Sequence, residues 1–555
     1  MELFGQMMHI PMLLSSIIQA AARHYGDVEI VSRRVEGDVH RYDYEDCHVR
    51  CKQVAQALIN RGIGSGDRVG TLAWNGYRHM ELYYGVSGIG AVCHTINPRL
   101  FPEQIAYIIN HGEDRYVFFD ATFAALIEQI APQCPNVEKW VMLCSEDALP
   151  RDFPVPLESY EVLIEERAPD FVWPSFDEER AAILCYTSGT TGDPKGVLYS
   201  HRSLTLMAYA SALPDALCLS TTDTLAPVVP MFHVNAWGMP FSAPLVGAKL
   251  VFPGAKLDGE SLSTLFAEEG VTMSAGVPTV WLAFVEHLAR TGKRCSTLQR
   301  VIVGGAACPP SLAASFKNFG IRSVHGWGMT ETSPLGTVCT PSRGCSKKTP
   351  QERLLTESKQ GRAVPGIELK TVGPDGAELP RDGRTSGELL VRGHWVLERY
   401  FGASASALSG GWFATGDVAT IDENGFLHIT DRSKDVIKSG GEWISSIALE
   451  NIAISHPEIE AVACIGRAHL KWDERPILIA VLKEGSALSV EDVLEFFAGK
   501  VAKWWLPDDV KFVKSLPLTP TGKINKLALR QQFGHVEEQT IAQTCNPSGA
   551  RQVTN

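Results

Sequence analysis

The chain has 555 residues, 45% of them apolar and 21% charged, and a formal net charge of −12. Its length predicts about three or four structural units. The composition excludes a disordered chain, a small disulfide scaffold and a protein that coats nucleic acid, because broad phosphate binding needs a basic surface. A local basic pocket for an anionic cofactor stays compatible with an acidic exterior. Thirteen cysteines, an odd number with no C-x-x-C pair, read as free thiols in a reducing compartment, so a cytoplasmic location is expected. No basic n-region precedes the apolar stretch Ile10 to Ala22, and the final Val553-Thr554-Asn555 is no peroxisomal address.

From about residue 65, short β-branched or aromatic runs alternate with amphipathic ones. Val69 to Ala73, Ala91 to Ile96, Tyr116 to Phe119 and Trp140 to Leu143 read as strands, with Pro102 to Asn110 as an intervening helix. Gly62-Ile63-Gly64-Ser65-Gly66 lacks the spacing of a dinucleotide fingerprint and reads as a helix-ending turn. The rhythm resumes at Ala182 to Tyr186 and runs through Thr272 to Ala275 and Val301 to Val303 to Ser323 to His325, which predicts a second α/β unit.

Thr224 to Ala248 has no Asp, Glu, Lys or Arg, yet Pro227, Pro230, Pro240 and Pro244 make it a poor uninterrupted helix, so no membrane span is expected. Gly336 to Lys359 reads as a solvated loop. Beyond Arg362, the runs Glu368 to Val372, Gly387 to Val391 and Leu427 to Ile429, divided by turns at Gly373 to Gly376 and Asp422 to Gly425, predict a small barrel or meander. A mixed α+β unit follows from near Arg432.

The most informative stretch is Thr187-Ser188-Gly189-Thr190-Thr191-Gly192, continued to Lys195 and placed directly after an apolar strand. Hydroxyls, glycines and one lysine leave donors free to wrap an anion, so the loop reads as a phosphate cradle. It is not a Walker A loop, because Pro194 precedes the lysine and Gly196 follows it.

Together with Gly326-Trp327-Gly328-Met329-Thr330-Glu331-Thr332, Gly411 to Asp417, Asp431-Arg432, Lys438 to Trp443 and Pro520-Thr521-Gly522-Lys523-Ile524, this loop resembles the adenylate-forming superfamily of acyl-CoA synthetases, adenylation domains and luciferases. Within it, the phrases Cys93 to Leu100 and Pro230 to Gly238 are similar to bacterial medium-chain fatty-acyl-CoA ligases and to ligases of methylthiopropionate. The resemblance spans residues 10 to 535 and implies an α/β fold. Residues 1–432 would form a large domain of two βα-layered subdomains and a small β-barrel that binds ATP and the acid, and residues 433–555 a small mobile α+β lid.

The implied reaction joins a medium-chain or similar apolar carboxylic acid to coenzyme A through an acyl-adenylate, using ATP and Mg²⁺. Alternatives are an arylalkanoate or 3-methylthiopropionate substrate, loading of a carrier protein, and an inactive nucleotide-binding regulator. No carrier-attachment domain is evident in the sequence.

By resemblance, Thr187 and Glu331 hold the Mg²⁺, and the loop to Lys195 clamps pyrophosphate. Gly304, Gly305 and Ala306 with His325, Gly326, Trp327, Gly328, Met329 and Thr330 surround the adenylate. Asp417 and Arg432 reach the ribose or phosphate, while Lys438 and Trp443 contact the adenylate. His233 lies by the reacting carboxylate, and Trp237 with Val277 lines the acyl pocket. Lys523 drives adenylation, and Lys434 is the hinge, where short-chain synthetases carry aspartate. Gly440, Gly441 and Glu442 serve the thioester step. Lys526 has no assigned role. A homodimer is compatible with the family, and the doubled Trp504-Trp505 departs from its usual single aromatic.

Overall fold

The computed structural model describes residues 3–165, 171–187, 193–341, 348–439, 442–519 and 523–535. The chain divides into two compact units, one of residues 1–415 and 420–429, the other of residues 416–419 and 430–555. The first carries two large sheets. One has seven strands in the order Leu157–Ser159, Lys139–Met142, Asp114–Phe119, Arg68–Leu72, Val92–Thr95, Ala181–Tyr186 and Gly196–Ser200, parallel except for the last. The inner strands Arg68–Leu72 and Val92–Thr95 are buried almost throughout, as a helix-covered parallel sheet requires.

The other sheet has nine strands, and its central members Arg322–Trp327, Arg300–Val303, Met273–Gly276, Thr224–Pro227, Lys249–Phe252 and Glu29–Arg33 run parallel. One sequence expectation is corrected here, and one pair of strands is added that the sequence reading did not place. Ala181–Tyr186 closes the first sheet against Val92–Thr95 rather than opening the second, and the second takes its far edge from Glu29–Arg33 and Val39–Asp43. Alternating periodicity reports that a strand exists but not which neighbour it pairs with.

A small antiparallel sheet follows, led by the hairpin of Ile367–Val372 and Gly387–Gly393. Its turns form where predicted, with Gly376 and Gly425 each at φ 79. Gly336 to Lys359 is not wholly loop: Thr337–Val338 pairs with Gly326 and Trp327, and Pro350–Glu357 is a helix whose N-cap Thr349 forms a reciprocal capping box with Glu352. Residues 342–347 lie outside the described residues.

Unit 2 is built on a five-stranded sheet in which Ile459–His469 and Asp473–Leu482 form a long antiparallel pair. Helices Ser446–Ala453 and Val490–Phe496 pack Leu449 and Val493 into the core on one side, with Trp505 against the same cluster. The second tryptophan of the pair therefore serves packing, while Trp504 remains 44% exposed. Among the described residues no helix is long and apolar enough to cross a membrane.

Candidate active site

Strands Ala181–Tyr186 and Gly196–Ser200 pair with Tyr186 opposite Gly196, which sets Thr187 and Lys195 at the two feet of the connecting loop. The Thr187 N–H donates to the Lys195 carbonyl at 2.9 Å, and the Lys195 N–H reaches Thr187 Oγ1 at 3.4 Å. Ser188, Gly189, Thr190, Thr191 and Gly192 lie outside the described residues. The Lys195 ammonium sits 5.0 Å from the centre of the Tyr400 ring, and the Tyr400 hydroxyl donates to Glu331 Oε1 at 2.8 Å. Tyr400 thus ties the loop's lysine to the carboxylate, and the neighbouring Phe401 N–H bonds the Gly196 carbonyl at 2.8 Å. Sequence reasoning missed Tyr400, because Glu398-Arg399-Tyr400-Phe401 has no local pattern and lies far along the chain from both partners.

Glu331 is presented by a single 3₁₀ turn, Thr330–Thr332, after strand Arg322–Trp327, and is 7% exposed. The turn is held from three sides. Thr332 Oγ1 accepts from the Met329 N–H at 2.9 Å, the Thr330 carbonyl from the Tyr199 hydroxyl at 2.7 Å, and the Glu331 carbonyl from the Leu397 N–H at 2.8 Å. Gly328 has no alternative residue, since a Cβ there would stand 1.5 Å from the Pro334 carbonyl oxygen. His325 is buried, with Nδ1 2.8 Å from the Ser358 carbonyl, and burial lowers its pKa, so the ring is neutral at pH 7. Trp327 packs its ring on Gly336.

His233 is half-buried, and its N–H bonds the Pro230 carbonyl at 3.1 Å. The next residues, Val234, Asn235, Ala236 and Trp237, all take left-handed φ of 47, 53, 48 and 55 before Gly238 at 77. Each such L-residue costs roughly 1–2 kcal/mol, so the surroundings must over-determine the turn. The Ala236 N–H bonds the Pro230 carbonyl at 3.2 Å, the Gly238 N–H bonds the Asn235 carbonyl at 2.9 Å, and Met207 fills the space a Cβ on Gly238 would need.

The turn brings the Trp237 ring onto Gly304, where an added Cβ would meet ring carbon Cη2 at 2.8 Å. Gly305 and Ala306, next along the chain, are exposed. Val277 is half-buried at the start of helix Pro278–Thr291, whereas Trp281 is core, donating to the Ile302 carbonyl at 3.1 Å.

In unit 2, Asp417 is 2% exposed and accepts from Arg432 Nε at 2.9 Å. Burial lowers the Lys523 pKa to about 8; Arg432 and Lys434 act in the same direction and Asp417 against it. Lys434 and Lys438 are exposed, and the Lys438 N–H bonds Glu474 Oε2 at 2.9 Å. Strand Ile437–Ser439 pairs with Glu442–Ile444, placing Lys438 opposite Trp443 and Ser439 opposite Glu442. Gly440 and Gly441, and the side chains of Glu442 and Trp443, lie outside the described residues.

The described residues contain no cluster of three or more His, Cys, Asp or Glu able to hold a metal. The hydroxyl of Thr187 and the carboxylate of Glu331 are hard oxygen donors that fit Mg²⁺, a cation bound through one or two carboxylates while substrate phosphates and water fill its octahedron. If the Tyr400 bond organises that carboxylate, Tyr400→Phe should raise the KM for magnesium-ATP by about tenfold, the worth of one hydrogen bond to a charged group. Steady-state kinetics against ATP checks this, and an unchanged KM would remove Tyr400 from the site.

Comparison with known proteins supplies an independent line. A family model described as AMP-binding enzyme matches residues 18–401, and one described as AMP-binding enzyme C-terminal domain matches residues 448–523. A 3-methylmercaptopropionyl-CoA ligase of Ruegeria lacuscaerulensis is 52% identical over 536 residues, covering 96% of this chain and 99% of the relative. A medium-chain-fatty-acid–CoA ligase of Ectopseudomonas oleovorans is 49% identical over 545 residues, 98% of this chain and 100% of the relative. Among solved structures, an anthranilate CoA ligase in complex with anthranoyl-AMP superposes with a TM-score of 0.83 at 24% identity, covering 95% of this chain and 98% of that one, a likeness of fold.

Proposed function

The chain belongs to the AMP-binding enzyme family, and from that premise we propose that it ligates an apolar carboxylic acid of medium length to coenzyme A through an acyl-adenylate, releasing AMP and pyrophosphate. The observation that carries this reading is identity of about half over nearly the whole length to ligases named for such acids. A carboxylate acylates poorly, so it first attacks the α-phosphate of ATP, and AMP then leaves as the thiol attacks. The first step brings anions together, so catalysis rests on positioning and on cations placed where charge develops.

Each group then has a role suited to its chemistry. The loop from Thr187 to Lys195 receives the departing pyrophosphate. Thr187 and Glu331 would hold Mg²⁺, which would supply neutralisation of phosphate charge. Asp417 accepts from the ribose hydroxyls and Arg432 lies beside them. His233 binds at the carboxylate, and Lys523 meets the charge that develops in adenylation. Movement about Lys434 would present Lys523 for the first step and residues 440–442 for the second. Burial of the described cysteines other than Cys218 as free thiols supports a reducing, cytoplasmic setting, and a homodimer is proposed from the family alone.

The test is pyrophosphate release with ATP, Mg²⁺ and a panel of straight C6 to C12 acids competed against arylalkanoates and 3-methylthiopropionate. Release with none of them would sink the reading. The 52% relative favours 3-methylthiopropionate as the second candidate. Because Trp237 covers Gly304, Trp237→Ala is expected to open the acyl pocket and move the preferred acid by two or more methylenes, each worth about 1–3 kcal/mol of discrimination. Competition assays read that shift, and an unchanged profile would take Trp237 out of the pocket.

A further inference from the structure

Helix Lys526–Phe533 starts three residues after Lys523, and the connection between them is fixed. The Thr519 N–H bonds the Lys523 carbonyl at 2.6 Å, the Lys523 N–H bonds Thr519 Oγ1 at 3.1 Å, and the Asn525 N–H bonds the Pro517 carbonyl at 2.8 Å. Asn525 then caps the helix by accepting from the Ala528 N–H at 3.1 Å. The backbone of Lys523 therefore goes where this helix goes.

Lys526 and Arg530, four residues apart on one helix face, reach the segment 431–435 at both ends. Lys526 Nζ donates to Ser446 Oγ at 2.6 Å and pairs with Glu450 Oε1 at 2.7 Å. Ser446 passes the contact on: its N–H donates to Asp431 Oδ2 at 2.5 Å and its hydroxyl to Oδ1 at 3.0 Å. Asp431 is 1% exposed, and its Oδ1 also accepts from the Arg432 N–H at 2.8 Å. Arg530 pairs with Asp435 Oδ1 at 2.6 Å. Glu450 is itself held by the Cys464 N–H at 2.8 Å.

Burial works against a charge on Lys526, yet Glu450 and Asp431 keep its pKa above the ordinary lysine value. A charged lysine whose side chain is only 13% exposed needs a reason, since well-packed apolar residues would serve stability as well.

We propose that Lys526 and Arg530 are positioning residues of the adenylation step. From the helix that follows Lys523 they grip Asp431, through Ser446, and Asp435, the carboxylates that bracket Arg432 and Lys434, and so set the separation between Lys523 and Arg432. The proposal rests on the reading of Lys523 as the adenylating lysine. A shared buried network of this kind makes geometry specific rather than merely strong, and a misplacement of about 1 Å in a reacting group costs up to about 10²-fold.

The experiment measures both half-reactions, ATP–pyrophosphate exchange with acid and thioester formation from supplied acyl-adenylate and coenzyme A, in the full-length chain. Lys526→Met is expected to lower the exchange kcat by about 10- to 100-fold, with the KM for ATP and the thioester rate close to wild type. Lys526→Arg should recover most of the loss. In a Lys523→Ala background, Lys526→Met should add no further loss, because it acts only through Lys523. Equal loss in both half-reactions, a further multiplicative loss in the Lys523→Ala background, or wild-type exchange would each overturn the proposal.

Should Lys526→Met fail to fold, Arg530→Gln and Asp435→Asn decide on the same readouts, with a smaller loss in the same direction expected at this less buried pair. Full exchange by Lys523→Ala would overturn the reading of Lys523 itself, whereas inactive Lys523→Ala beside fully active Lys526→Met and Arg530→Gln overturns the positioning role alone.

Discussion

Lys523→Ala is expected to lower ATP–pyrophosphate exchange by about 10²–10³-fold, the usual cost of removing one group aimed at developing charge, while thioester formation from supplied acyl-adenylate stays near wild type. The lysine's work is electrostatic, so its protonated form is the active one. Its pKa, lowered to about 8, gives the sign of the pH dependence. Below about pH 7 the ammonium is fully present and kcat/KM for ATP is flat in this group. As pH rises through 8 the charged fraction falls, and kcat/KM falls with it, tenfold per unit well above the pKa. Lys523→Arg, which keeps its charge, should lose that alkaline limb even if its rate is lower. Matching losses in the two half-reactions, or an alkaline limb that survives in the arginine variant, would show that another group carries the step.

Gly328→Ala should be more damaging still, for a different reason. The new Cβ would lie 1.5 Å from the Pro334 carbonyl oxygen, and the obstacle is backbone, so no rotamer relieves it. The turn carrying Glu331 would have to move, breaking the bonds from Tyr199 and Leu397 to the Thr330 and Glu331 carbonyls. Overpacking of this kind costs about 1–3 kcal/mol and occasionally more, and the displaced carboxylate would abolish exchange. Thermal unfolding should show a lowered first transition, and exchange should be undetectable. Gly305→Ala, with its glycine exposed at φ 77, meets the conformational penalty of the left-handed region. A Gly328→Ala protein with wild-type melting and exchange would show that the turn is not fixed as described.

Much of the architecture was legible because it is local. The runs at Val69, Tyr116, Trp140, Val301 and Ser323 became strands within a residue or two of their predicted limits, since an apolar, β-branched stretch between turn residues has few other ways to be buried. The turns at Gly376 and Gly425 likewise follow from the need for positive φ. What misled was adjacency. Ala181–Tyr186 has the same composition whether it closes one sheet or opens the next, and only the register with Cys93 to Thr95 assigns it. The helix Pro350–Glu357, read as loop, was signalled by Thr349 and Glu352, but its polar composition outweighed the cap.

The residue types of the candidate site were also readable. A hydroxyl and glycine loop ending in Lys195, the Thr-Glu-Thr turn at Glu331, and Thr-Gly-Asp at Asp417 are local motifs, and their resemblance to those of the adenylate-forming superfamily is what pointed to the reaction class. Distance was beyond it. Tyr400 stands between Lys195 and Glu331 because a strand and a turn far apart in sequence meet, and Trp237 faces Gly304 because four residues accept left-handed dihedrals that local preference opposes.

Lys526 shows the same division. As a letter in the chain it is one more lysine; as a side chain it lies among Ser446, Glu450 and Asp431. Sequence by itself determined the chemistry available and the elements that bear it, because both depend on neighbours along the chain. Tertiary structure alone decided which charges are desolvated, which are paired and how far apart they stand, because those energies depend on separation in space and on what excludes water between the groups.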